Sequence, residues 1–546
     1  MRPSPTAALA ALLLAALICA PVLADPTGLA LGHPHTDTWN HVWGYQHVAE
    51  ALRGEHALLY TQALGGGGTL WFIDLFQAIA LAPVTWVAGP IAAYNLGVLL
   101  NLWLAAFAAW GLSHALTRDP VASLVPAVVL CLSPTLVVQV HNGISEGLSI
   151  GWIPLSAWGL LRWRRDPSHR RGLAAGVALA LAAWASWYQG LFALMLAPAL
   201  LFPSADASRL GRRHLASGAL LLGTWAALVL PAGLAFRATL AAPDALVLRD
   251  PERVWTALVS HNAVDLMAFV HAGSGPDLSV FDEALQVSVF LGLSLLVPAF
   301  AARRIPQARP WLLAASLCLL MALGPFLRIS GGPALLPGGA PIPLPFLAAN
   351  RLLPGFGAIS HAYRFVVPGL LALGLAAGML AAKRPIWLLA LPLWVVESSA
   401  ARTLPLPTAS GALPAVYAAL PDDGRAVLDL PMSRQVLERS EWAWYSSVHG
   451  HPTVYGLNDP TPPKLRENAL VRAVLARERS VVTSLAPSGD VWALEGARRE
   501  LVGQDVGWIV VHLDPLPPPK QRSIRALLDA VCGPGEEIDG AVLYAL

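Results

Sequence analysis

Apolar positions along the chain gather into twelve long runs: 6–24, 70–88, 91–116, 121–138, 147–162, 172–187, 189–203, 214–236, 285–301, 310–327, 365–382 and 385–400. A helix that crosses a bilayer needs about 20 apolar residues, within a range of roughly 17–25. The pattern therefore predicts an all-α polytopic membrane domain over 1–400. Past residue 400 the pattern changes. The stretches 426–430, 508–512 and 541–544 are short, mostly apolar runs and read as buried strands. Residues 464–485 and 517–531 read as helices, and the Pro/Thr-rich stretch 403–409 reads as a linker. A small α/β domain over 401–546 is expected.

Basic residues set the sidedness, because connections rich in Lys and Arg stay in the cytoplasm. Arg162, Arg164, Arg165, Arg170 and Arg171 lie in one connection, and Arg209, Arg212 and Arg213 in another. Arg303, Arg304 and Arg309 mark a third, Lys383 and Arg384 a fourth. For all four to face inward, 172–203 must cross twice, and 70–88 must lie on the outer surface or re-enter. Eleven spans remain, with the N-terminus inside and the C-terminal domain outside. On this topology residues 1–400 place 15 Lys/Arg and 3 Asp/Glu inside, against 7 and 14 outside. The first run reads as an uncleaved helix; Val22-Leu23-Ala24 is the cleavage site a signal peptide would use. Long outer segments follow at 25–90, 237–284 and 328–364.

Composition agrees with a membrane chain. Of 546 residues, 55% are hydrophobic and 13% charged, with mean hydropathy +0.56. Soluble domains carry about 25% charged residues, so an ordinary soluble enzyme and a disordered chain are both excluded. Charge concentrates at the end: 31 of the last 146 residues carry it, against 39 of the first 400. A net charge of +2 gives no reason to expect a nucleic-acid partner. Cys19, Cys131, Cys318 and Cys532 are scattered, without metal-site spacing.

Channels and pumps carry ionisable groups within their spans; here such groups collect at the outer ends. The first outer segment runs Gly32-His33-Pro34-His35-Thr36-Asp37-Thr38-Trp39-Asn40-His41. A carboxylate at that depth can take a proton from an acceptor hydroxyl or hold a metal. Asp37 would otherwise cap a helix running from about 38 to 53. His33, His35, Asp37 and His41 match no standard ligand spacing and read as interfacial side chains. Gly65–Gly68 precede Thr69 and Asp74 without a Walker pattern. His141, Asn142 and Glu146 join two spans at the outer face, as a pocket rim or as a capped turn. Arg351 and Arg364 flank Pro354-Gly355-Phe356, where a guanidinium suits a lipid phosphate or an acidic side chain.

In this order the pieces resemble bacterial GT-C type membrane glycosyltransferases and the related YfhO-like polytopic proteins. The resemblance rests on Thr36-Asp37-Thr38-Trp39, Ala93-Tyr94-Asn95-Leu96, and Ser133-Pro134 to Asn142-Gly143 with Glu146. It continues through Leu353-Pro354-Gly355-Phe356, Tyr363-Arg364-Phe365, Leu428-Asp429-Leu430-Pro431 and the 506–511 stretch. It implies a GT-C-like fold in the bacterial cytoplasmic membrane and a polyprenyl-phosphate-linked sugar as donor. The acceptor, whether glycan, lipid or protein, stays open. Asp37 would be the catalytic carboxylate, with Glu146 as a second acid. His35, Trp39, His141, Asn142, Arg351 and Arg364 would bind substrate. The acidic pair usual in that loop is absent, so a divalent metal is an open cofactor. Two alternatives stand beside this reading: a non-catalytic assembly factor for surface polysaccharide, and a lipid-linked saccharide transporter.

Overall fold

The computed structural model describes residues 4–201, 212–247, 250–272, 284–353, 355–402, 404–457, 463–480 and 491–546. Helices dominate. Among the described residues, four are long and apolar enough to cross a membrane: Leu75–Thr117, Leu124–His141, Arg213–Ala241 and Ala362–Lys383. Other apolar runs form shorter helices, including Pro5–Ile18, Trp152–Arg165, His169–Ala185, Trp187–Leu201 and Arg309–Ala322. Leu124–His141 contains a break before Pro134, where Ser133 caps the next turn by accepting from Leu136 N–H. The helix Val366–Lys383 forms the centre and is buried along nearly its whole length. It packs against Arg309–Ala322, Leu124–Cys131 and Leu293–Ala301. By contrast Arg212–Ala241 packs on His169–Ala185 and leaves Leu215, Leu222, Leu230 and Leu234 exposed. Such a face suits lipid rather than water.

The stretch 70–88 becomes the first arm of Leu75–Thr117. That helix kinks at Gly89, whose φ of +87° only glycine adopts readily, and Pro90 follows. The first arm has too few residues to span about 30 Å at 1.5 Å each, and it packs against Thr38–Leu52.

Past the spans, Ala426–Leu430 runs parallel to Val506–His512. Ala541–Ala545 pairs antiparallel with Val506–His512 and with Glu536–Ile538. Among the described residues five helices accompany this sheet, from Ser440–His449 to Pro518–Cys532. The expected linker 403–409 is not an open tether: Thr408–Ser410 pairs antiparallel with Leu29–Leu31. The other side of Leu29–Leu31 is held by the Tyr94-Asn95 pair. Asn95 accepts from Leu31 N–H at 3.0 Å and donates to the Leu29 carbonyl at 2.7 Å. Tyr94 OH donates to the Leu31 carbonyl at 2.8 Å. A strand three residues long thus has both edges satisfied, as buried backbone requires.

His47 stacks between Trp43 and His56, with ring centroids at 4.9 and 4.4 Å. Burial, followed by the charge of His56, pushes its pKa down from 6.5 to about 4. The unfolded chain therefore takes up a proton near pH 6.5 that the folded chain refuses until about pH 4. Stability from this group is complete above pH 6.5 and is lost on acidification across that window, by at most about 1.4 kcal/mol per pH unit. A thermal midpoint that falls from pH 7.5 to pH 5, and falls less in His47→Gln, is the expected result.

Candidate functional site

Asp37 stands at the N-cap position of Thr38–Leu52, yet its side chain makes no capping hydrogen bond. Its Oδ1 instead accepts from the Asn40 amide at 2.9 Å. The carboxylate is half-buried and lines a cavity of about 670 Å³. Asn40 and His41 share that wall. The rest of the lining is largely apolar and aromatic, with Trp71, Trp184, Trp187, Tyr188 and Phe236 prominent. Gly355, Phe356, Ala358 and Ile359, from the segment 328–364, also line it. The cavity thus sets the Asp37 group of polar side chains against a mostly apolar lining that also carries Thr69, Ser186 and Thr239.

Behind these polar side chains lies a buried network. His41 Nε2 is 3.3 Å from Glu146 Oε2, and Glu146 Oε1 is 3.1 Å from Arg364 Nη2. Arg364 also lies over the Tyr188 ring, 5.0 Å from its centroid. Glu146 therefore bridges two basic side chains, and the Arg364 fork faces an acid. His41 Nδ1 is 2.7 Å from Ser145 Oγ, which in turn is 2.6 Å from Asp74 Oδ2. Asp74 is fully buried and also accepts from Tyr45 OH at 3.1 Å. Burial drives the Asp74 pKa up from 3.8 to about 7; His41 and the Ser145 hydrogen bond pull it down less strongly. Asp74 entered the sequence reading only as the residue after a Gly run. The available signal was a lone acid opening an apolar helix.

Other expected site residues hold the loops in place. Trp39 is buried and stacks on Trp444 at 5.5 Å. His33 stacks on His141 at 5.4 Å and donates its N–H to the His141 carbonyl at 2.7 Å. Asn142 takes the N–H of Gln286 at 3.0 Å and donates to its carbonyl at 2.6 Å. Gly143, at φ +66°, lets this turn approach Thr38 so closely that a Cβ would meet the Thr38 Cα at 2.5 Å. His35 reaches the C-terminal domain, 3.4 Å from Arg434 Nη2. Arg351 is exposed at the end of Pro345–Leu352, apart from these groups. Asp277, a further polar position of the long segment 237–284, lies outside the described residues.

A divalent metal does not fit the side chains described. No three His, Cys, Asp or Glu groups converge among the described residues. Both His41 nitrogens face protein partners, and His33 Nδ1 accepts from His35 N–H at 3.2 Å.

No protein-family model matches the chain, and no curated protein matches it in sequence. Among solved structures, it is similar to the arabinofuranosyltransferase AftD from Mycobacteria, with 16% identity and a TM-score of 0.55. The match covers 99% of this chain and 39% of that one, so the chain spans well under half of that enzyme's length. The oligosaccharyltransferase of Archaeoglobus fulgidus tethered with an acceptor peptide gives 10% identity and a TM-score of 0.49, covering 96% of this chain and 71% of that one. ArnT from Cupriavidus metallidurans bound to undecaprenyl phosphate gives 13% and 0.44, covering 98% and 97%. The narrower YfhO-like affiliation rests on the sequence resemblance alone. The likeness to AftD extends over nearly the whole of this chain, and at 16% identity it shows a shared fold.

Proposed function

We propose that the protein is a membrane glycosyltransferase that moves a sugar from a polyprenyl-phosphate-linked donor to an acceptor at the outer face of the bacterial cytoplasmic membrane. One observation carries this reading: the cavity holds Asp37, Asn40 and His41 beside a lining that is mostly aromatic and apolar. A donor with a hydrocarbon tail and a phosphosugar head has the same division.

In the proposed reaction an acceptor hydroxyl oxygen attacks the anomeric carbon while the bond from that carbon to the phosphate oxygen breaks. The phosphate leaves with the electron pair. Asp37 takes the hydroxyl proton, which requires the carboxylate to be ionised and within hydrogen-bond reach of the acceptor. Asn40 holds the carboxylate from one side. Attack from the face opposite the leaving phosphate inverts the anomeric centre. Arg364 supports the site through Glu146 and Tyr188, and no step here runs through a metal.

We also assign eleven spans, an inward N-terminus and an outward C-terminal domain. The exposed Arg162, Arg165 and Arg170 support this, since they would meet cytoplasm and anionic headgroups. Single Cys at positions 166 and 514, both exposed, provide the check in a background without reactive Cys. A membrane-impermeant thiol reagent added to intact cells should label 514 and spare 166. Labelling of 166 from outside would reverse the assignment.

The reading itself is tested by incubating the purified full-length protein with polyprenyl-phosphate sugars in nanodiscs. Release of free polyprenyl phosphate that depends on an added acceptor supports transfer. Tight binding without turnover for any donor would favour the assembly-factor alternative.

A further inference from the structure

Among the described residues lining the cavity there is no Lys or Arg. A leaving phosphate nevertheless needs positive charge near it. His41 is the one lining group, among those described, that can supply it by taking a proton. The hydrogen bonds behind His41 show where that proton would come from.

Ser145 Oγ sits 2.6 Å from Asp74 Oδ2 and 2.7 Å from His41 Nδ1. A hydroxyl has one hydrogen to donate, so it can satisfy only one of these neighbours. The other must donate to it. Two arrangements leave neither contact empty. In one, the Asp74 carboxyl is protonated and donates to Ser145, which donates to Nδ1 of a neutral His41. In the other, Asp74 is a carboxylate that accepts from Ser145, and Nδ1–H of a cationic His41 donates to Ser145. Nε2 lies at ion-pair distance from Glu146 Oε2, 3.3 Å away though without hydrogen-bond geometry, and the nearby carboxylate favours a hydrogen on Nε2 in both.

The far end of the chain is fixed. The Asn101 amide donates to Gln77 Oε1 at 2.7 Å, which orients the Gln77 amide nitrogen toward Tyr45. Gln77 Nε2 donates to Tyr45 OH at 2.7 Å, so the tyrosine hydrogen must point at Asp74. No second carboxyl hydrogen is needed there. Asp74 Oδ1 is buried without a partner, which penalises the ionised form. The charged or titratable groups around the chain are Tyr45, Tyr94 and Glu146 about Asp74, and Glu146 about His41, with Arg364 beyond Glu146 and Asp37 on the same cavity wall.

We propose that Asp74, Ser145 and His41 share one mobile proton, which a phosphate in the cavity draws from the Asp74 carboxyl onto the His41 ring. The Asp74 O–H bond breaks, the Ser145 hydroxyl passes its hydrogen to Nδ1 and takes the one from Asp74, and the cavity wall gains a positive charge. No outside acid is consumed, and the proton returns when the phosphate leaves. Asp74 and Ser145 act through His41 and are positioning residues. The phosphate part rests on the donor class proposed above; the shared proton does not.

Infrared spectroscopy of full-length protein carrying ¹³C-labelled aspartate, in nanodiscs, provides the test. A protonated aspartic C=O band is expected at neutral pH. It should titrate away with a midpoint close to 7, consistent with the buried position of Asp74, and be absent in Asp74→Asn. Ser145→Ala should keep the band and move its midpoint, because the relay is cut while the carboxyl remains. Adding undecaprenyl phosphate to the wild type should bleach the band, and should leave it in Ser145→Ala. Phosphate binding should then weaken up to about tenfold per pH unit above the midpoint in the wild type. Absence of an aspartic C=O band at pH 6, or a band untouched by Asp74→Asn and Ser145→Ala alike, would overturn the shared proton. A band that behaves as expected in protein that binds no polyprenyl phosphate at any pH would instead overturn the donor class and the phosphate-driven transfer, leaving the shared proton.

Discussion

Asp37→Asn is expected to slow sugar transfer by about 10²–10⁴-fold with little change in protein level or donor binding. Asn has the size of Asp and can still accept from the Asn40 amide, so the contact that now fixes the carboxylate survives. Only the capacity to take a proton is removed. A cap would respond otherwise, since Asn caps a helix as well as Asp does, but the Asp37 side chain makes no capping bond to lose. The measurement is single-turnover transfer at saturating donor, compared at equal amounts of folded protein. Wild-type rates for Asp37→Asn would sink the assignment of the base and leave a binding or assembly role.

The second large effect concerns the pair behind the cavity. Glu146 and Arg364 are 3.1 Å apart, with side chains 5% and 13% exposed. Removing one partner from a buried pair strands the other charge, at a cost of about 3–5 kcal/mol. Arg364→Met should therefore lower the thermal midpoint sharply and remove the cation over Tyr188. Glu146→Leu alone should do similar damage. Together the two changes should recover most of the stability, because no unpaired charge remains, while transfer stays impaired through the altered wall at His41 and Tyr188. Stability losses that simply add in the double variant would show that the two side chains are not coupled.

The membrane character and the C-terminal sheet could be read in advance because they depend on local pattern. Residues 426–430 are an unbroken apolar run except for Asp429, and they form the strand as expected. The strand Glu536–Ile538 is polar at its start and so lacks an apolar signature. Its hairpin turn, Asp539-Gly540, carries positive φ at both residues and was the cue available. Thr408–Ser410 passed for a linker because a strand of three small residues has no periodicity; its partner is Leu29–Leu31. The candidate site was harder for the same reason. Asp37 and Glu146 could be named from residue type and place, but the Glu146–Arg364 contact joins positions 218 residues apart. Trp39, His141 and Asn142 are polar or aromatic residues of the kind that binds ligands, and here they pack and clamp loops. Tyr94-Asn95 stood out as a motif, and only the strand it braces explains why.

The pairing of Leu29–Leu31 with Thr408–Ser410 has a consequence for the order in which the protein is made. Ser440 Oγ donates to the Thr36 carbonyl at 2.6 Å across 404 positions, next to the loop that carries Asp37. Ribosomes add about 5–20 residues each second, so that loop waits tens of seconds after its own synthesis for the segment that completes it. The apolar helices described, through Ala390–Ser399, all precede that segment in the chain. A nascent chain thus cannot complete the loop that carries Asp37 until Ser440 has been made.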